Sequence, residues 1–79
     1  MNLPNDQLRR NDFGRWVAEN FELTSGDSVE LLIEGHWISG QIEFWNDEYH
    51  WFSQNDGVPV VLNSNLRARR PRGRYQASR

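Results

Sequence analysis

A chain of 79 residues with no cysteine and a net charge of −2 makes one domain, and it excludes a disulfide or a thiolate metal site as reinforcement of the core. A chain this short buries only about 60–65% of the surface its unfolded form exposes, so the whole fold is worth about 4–12 kcal/mol. What can fill so small a core is aromatic mass: four Trp, four Phe and two Tyr, each side chain burying roughly 150–250 Å².

In chain order, residues 1–12 are polar and weakly patterned. Asn5 or Asp6 is placed to cap a short helix, and Leu8, Phe13, Trp16 and Val17 form a partial helical stripe that Gly14 interrupts. The expectation is a loose or briefly helical start, followed by an extended arm over 13–24. The first ten residues lack the apolar stretch of a signal peptide, and no apolar run reaches the length of a membrane span. A cytoplasmic protein is expected.

From Ser25 the pattern sharpens. Ser25-Gly26-Asp27 is a turn, and residues 28–34 alternate Val29, Leu31 and Ile33 against Ser28, Glu30, Leu32 and Glu34, a half-buried strand. Glu34-Gly35 marks a tight reversal. A second strand, His36–Trp45, sets Ile38, Gly40, Ile42 and Phe44 on one face and Trp37, Ser39, Gln41, Glu43 and Trp45 on the other. Gly40 reads as a bend or bulge.

After a turn at Asn46-Asp47-Glu48, strands are predicted over 49–54 and 58–62, joined by the hairpin turn Asn55-Asp56-Gly57. Pro59 puts the start of the fourth strand at an edge or bulge. Asn63-Ser64-Asn65 suits a single 3₁₀ turn before a short last strand at 66–69. This order predicts an all-β fold, a small SH3-like barrel of four to five strands over 13–70, with an open meander sheet as the alternative. The predicted core is Val29, Leu31, Ile33, Ile38, Ile42 and Phe44.

Residues 23–70 resemble a family of small bacterial proteins known as a domain of unknown function. The matching residues are Leu23-Thr24-Ser25-Gly26-Asp27, Val29-Glu30-Leu31-Leu32-Ile33-Glu34-Gly35, Trp37-Ile38, Ile42-Glu43, Trp51 and Gly57-Val58-Pro59-Val60. The resemblance implies an SH3-like protein carried on plasmids, integrative elements and phages. It implies no activity, and no site residue follows from it.

Catalytic chemistry finds no footing in the sequence. His36 and His50 lie on different strands, and no serine sits in a nucleophile elbow. Two histidines without cysteine or an H-x-x-x-H helix do not build a closed metal site. Glu43, Asp47 and Glu48 gather at a turn, where solvated carboxylates are expected. A non-enzyme is expected, with no cofactor, metal, membrane or small-molecule substrate.

The aromatic surplus has two readings. Trp37 and Trp45 face away from the predicted core, and the arm at 13–24 either covers them or leaves a platform for a partner. That platform would comprise Trp37, Glu43, Trp45, Asp47, Glu48, Tyr49 and Trp51. Charge is also uneven. Residues 67–79 carry six arginines and no acid, while residues 1–66 hold all eleven acids against three arginines, a body charge of −8. The end segment, 71–79 above all, reads as a disordered solubilising tail. Alternatively it docks on acids of a partner or of a second copy, or binds nucleic acid through Arg67, Arg69, Arg70, Arg72, Arg74 and Tyr75.

The acidic body favours a protein or nucleoprotein partner. The expected function is a binding module, a small phage or mobile-element accessory or inhibitor protein. An anti-defence, anti-CRISPR-type inhibitor that sets its acidic face in a basic groove is an example. The alternative is a nucleic-acid-binding protein working through the tail, and a homodimer fits either.

Overall fold

The computed structural model describes residues 4–72, which form eight strands and, among the described residues, no helix. The strands are β1 (Arg9–Arg10), β2 (Trp16–Ala18), β3 (Phe21–Glu22), β4 (Ser28–Ile33), β5 (His36–Trp45), β6 (Glu48–Ser53), β7 (Pro59–Val61) and β8 (Ala68–Arg69). A five-stranded antiparallel sheet has the order β7-β6-β5-β4-β8, and a small antiparallel sheet has the order β1-β2-β3. The chain is all-β and barrel-like.

Two-residue turns set the register of the large sheet. Glu34 and Gly35 have φ of 49° and 83°, and Asn46 and Asp47 have 55° and 66°. Positive φ at both central positions twists a hairpin in the same sense as its strands. The register runs through Gly40 without a bulge, pairing it with Val29 on one side and Ser53 on the other. Glycine is needed there for another reason. The Trp51 indole lies over position 40, and a Cβ would run into that ring and the Phe52 carbonyl. The indole Nε1–H donates to the Val29 carbonyl at 2.9 Å, so the buried donor is satisfied.

The first twelve residues differ from expectation. Among those described, the Asp6 carbonyl accepts from the Ala68 N–H at 2.8 Å, and the Leu8 N–H donates to the Leu66 carbonyl at 2.8 Å. Gln7 and Arg67 form a β-bridge. The segment satisfies the outer edge of β8, and Leu8 enters the core with 1% of its surface exposed. An edge left open by the last strand thus orders the start of the chain, a pairing that local sequence does not announce.

The core gathers Val29, Leu31, Ile42, Trp51 and Ala68 from the sheet, with Leu8, Trp16, Ala18, Leu23 and Leu62 packed against them. The arm at 13–24 therefore sits on the inner face. Of the predicted core, Val29, Leu31 and Ile42 are buried, and Ile38 packs half-buried against them. Phe44 and Ile33 are the exceptions, at 53% and 36% exposure. Alternation assigns a face correctly, but both residues lie near strand ends, beyond what the arm covers.

Replacing Gly40 by alanine forces the Trp51 ring or the β6 backbone to move. The expected loss is about 1–3 kcal/mol, seen as a melting temperature lower by roughly 4–8 °C per kcal/mol. A thermal scan superimposable on the parent's would show that the indole does not lie there.

Candidate functional site

Two regions of the outer sheet face carry the residues singled out in the sequence. Alternation along β5 places Trp37, Ser39, Gln41, Glu43 and Trp45 on this face, and register adds Glu48, His50 and Phe52 from β6.

At the β4–β8 end, Trp37 is half-buried beneath arginine. The Arg69 guanidinium lies 4.1 Å from its ring centroid and that of Arg67 5.8 Å. Arg69 Nε donates to Glu30 Oε1 at 2.6 Å, and the Glu30 side chain is only 7% exposed. Arg67 clasps Asp6 through Nε at 2.7 Å and a terminal nitrogen at 3.1 Å. The hydrogen bonds to Asp6 push the Arg67 guanidinium further above its usual value. So Trp37 is covered by β8 and its approach, not by the arm, and belongs to the framework rather than to an open platform.

The next arginines continue the pattern. The Arg70 guanidinium stacks 3.9 Å from the Phe21 centroid, and its backbone N–H donates to Glu19. Arg72 lies 3.9 Å from the same carboxylate. These contacts lie on an acid and an aromatic ring of the same chain. Arg67 and Arg69, two of the residues expected to contact nucleic acid, are each paired with a carboxylate of the chain. Arg74, Tyr75 and the expectation of a loose tail beyond Pro71 lie outside the described residues.

At the β5–β6 end the surface is open. Trp45 is 58% exposed, and Phe44 beside it reaches the opposite face of the same hairpin. Asp47 and Glu48 are exposed and Glu43 half-buried. The ion pairs among the described residues engage Asp6, Glu19, Glu22 and Glu30 and none of these three. No lysine or arginine occurs from residue 16 to residue 66, and the cation that lines a cleft with Asp47 and Glu48 is Arg10, which forms no ion pair with either.

Two other residues expected on the platform are displaced. Trp51 is 1% exposed on the inner face, where it fills the core. Tyr49 also faces inward, half-buried, with its ring centroid 4.8 Å from that of Phe44 in an edge-to-face contact. Both fall one residue out of phase with Trp45 across the turn, which the two-residue reversal dictates.

His50 was not expected on this surface. It is 5% exposed, with its ring 5.2 Å from Trp45 and 5.9 Å from Phe52. Its Nδ1 lies 3.1 Å from the Glu48 carbonyl, which only accepts, so Nδ1 carries the hydrogen. The sequence held the signal: register across the turn puts His50 opposite Glu43.

The free edge of β7 is unsuited to strand addition. By the ladder's alternation Pro59 and Val61 turn outward. Pro59 has no N–H, and the Val61 carbonyl accepts from the Asn63 side-chain amide at 3.2 Å. Among the described residues no cluster of three or more His, Asp or Glu is arranged to hold a metal ion, and no helix is long and apolar enough to cross a membrane.

Fold and surface together define a small all-β domain with an acidic, aromatic hairpin at one end. A family model described as a domain of unknown function (DUF5348) matches residues 5–70, and the chain belongs to that family. The match takes in the N-terminal segment as well as residues 23–70. No curated protein and no solved structure gives a significant match.

If Arg69 is framework, Arg69→Met should strand the buried Glu30 carboxylate and remove about 3–5 kcal/mol, while Arg69→Met with Glu30→Leu should recover most of it. Chemical denaturation of the two variants measures this. Equal stability of Arg69→Met and the parent would return Arg69 to the surface available for binding.

Proposed function

We propose that this domain is a non-enzymatic binding module whose β5–β6 hairpin enters a basic groove on a protein or nucleoprotein complex. The observation that carries the reading is the pairing of two more-than-half-exposed aromatic side chains, Phe44 and Trp45, with the carboxylates of Glu43, Asp47 and Glu48, none of them in an ion pair among the described residues. Large aromatic side chains at a rigid turn supply contact area at small entropic loss, and the surrounding carboxylates steer the encounter and reject acidic partners. The strand order, in which β8 returns beside β4, supports an SH3-like barrel as the scaffold. An acidic module of this kind suits a small phage or mobile-element accessory protein acting in the cytoplasm, for example an inhibitor that occupies the nucleic-acid groove of a defence complex.

Direct binding to DNA or RNA through the C-terminal arginines is disfavoured by the pairing of Arg67 with Asp6 and Arg69 with Glu30.

The test is affinity capture from a bacterial host lysate, followed by calorimetry on the captured complex. Trp45→Ala should stay folded, with a melting temperature lowered only by the uncovering of His50, and weaken binding about 30-fold or more, the effect of losing a hot-spot aromatic. Unchanged affinity would remove the hairpin from the interface. Retardation of DNA or RNA by the full chain, lost on truncation after Arg72, would favour the nucleic-acid reading instead.

A further inference from the structure

The inner side of the same hairpin borders a cleft of about 210 Å³, room for the liquid volume of roughly seven water molecules. The β1–β2 hairpin forms one wall and the β5–β6 hairpin the other. Trp16, Phe44 and Tyr49 line it with aromatic residues, and Asp47 of the turn and Glu48 at the strand end also border it. The Phe44 and Tyr49 rings meet at 63°, making an aromatic corner.

The cleft already holds one cation. Arg10, the register partner of Trp16, lays its guanidinium 4.5 Å from the indole centroid. Its side chain also donates a long hydrogen bond, 3.4 Å, to the Gly14 carbonyl. Arg10 forms no ion pair with Asp47 or Glu48, although all three residues line the same space. One wall therefore carries a stacked guanidinium, and the other offers an aromatic corner bordered by two acidic residues that form no ion pair among the described residues.

The geometry points to a binding site for an arginine side chain of the partner, seated between the Phe44–Tyr49 corner and the carboxylates of Asp47 and Glu48. This deepens the proposed function and rests on it: the partner is a basic protein, and this is where one of its arginines enters. Aromatic faces attract a cation, and a planar guanidinium can stack on a ring while its edge donates to carboxylates. An ammonium does the second less well and the first not at all, so arginine is favoured over lysine. Trp45, on the outer face, contacts a different part of the partner.

The cleft is tested without the partner by titrating the full chain with N-acetyl-arginine amide and following ring and indole signals by NMR. Saturable shifts at Phe44, Tyr49 and Trp16 are expected in the millimolar range. They should be weaker with N-acetyl-lysine amide and absent with the neutral isostere N-acetyl-citrulline amide. Asp47→Asn with Glu48→Gln should reduce affinity about fivefold or more. The change is safe for the fold, because both positions are exposed and Asn accepts the positive φ of position 47. Arg10→Gln should tighten binding by removing a like charge. Equal shifts with the citrulline compound, no shifts at these rings, or weaker binding after Arg10→Gln would overturn the inference. If the titration fails while Trp45→Ala still abolishes capture, the cleft inference falls and the binding module stands.

Discussion

One side chain ties the middle of this fold together. Trp51 rises from β6, crosses Gly40 of β5, and donates its indole hydrogen to the Val29 carbonyl of β4. Three strands are thus locked by a single residue that is 1% exposed. In a domain worth only several kcal/mol in total, an indole placed this way supplies much of the buried area and also satisfies its own polar group. Its demands propagate outward. Position 40 must be glycine, Ile42 packs beside the ring in register, and Trp16, Leu8 and Leu23 close over the inner face from the N-terminal side. That cover does not reach the hairpin's far end, which leaves Phe44 exposed and Tyr49 half-buried beside an open cleft.

Charge follows a similar logic of proximity. The arginines of residues 67–72 and the acids of the body are far apart in sequence, yet β8 returns beside β4 and the N-terminal segment. Glu30, Asp6 and Glu19 then neutralise them. The pairing consumes positive charge at one end of the molecule and leaves the carboxylates of Glu43, Asp47 and Glu48 at the other end in no ion pair among the described residues. Unpaired carboxylates of this kind favour encounter with a basic surface over contact with phosphate.

Local sequence carried much of this fold. Turn chemistry at Glu34-Gly35 and period-2 alternation placed the strand His36–Trp45 at its observed bounds, and the strand before it ends one residue short of expectation, at Ile33. The face of each β5 residue was also legible. What alternation could not reveal was coverage. Phe44 sits on the inward face but has nothing above it, whereas His50 sits on the outward face and is buried by Trp45 and Phe52. Trp51 and Tyr49 were misassigned because their face depends on how many residues turn the chain between Trp45 and Glu48. Leu8 and Arg67 depend on partners more than fifty residues away, and Arg69 on one 39 residues away, separations at which composition says nothing about contact.

The role assigned to Trp51 is most directly tested by hydrogen exchange at the four indole N–H groups. The Trp51 indole hydrogen, donated to a buried carbonyl, should exchange only through global unfolding, with the slowest rate of the four. The Trp45 indole should exchange at near-solvent rates. Exchange of Trp51 as fast as Trp45 under native conditions would contradict the anchoring of β4, β5 and β6 by that ring.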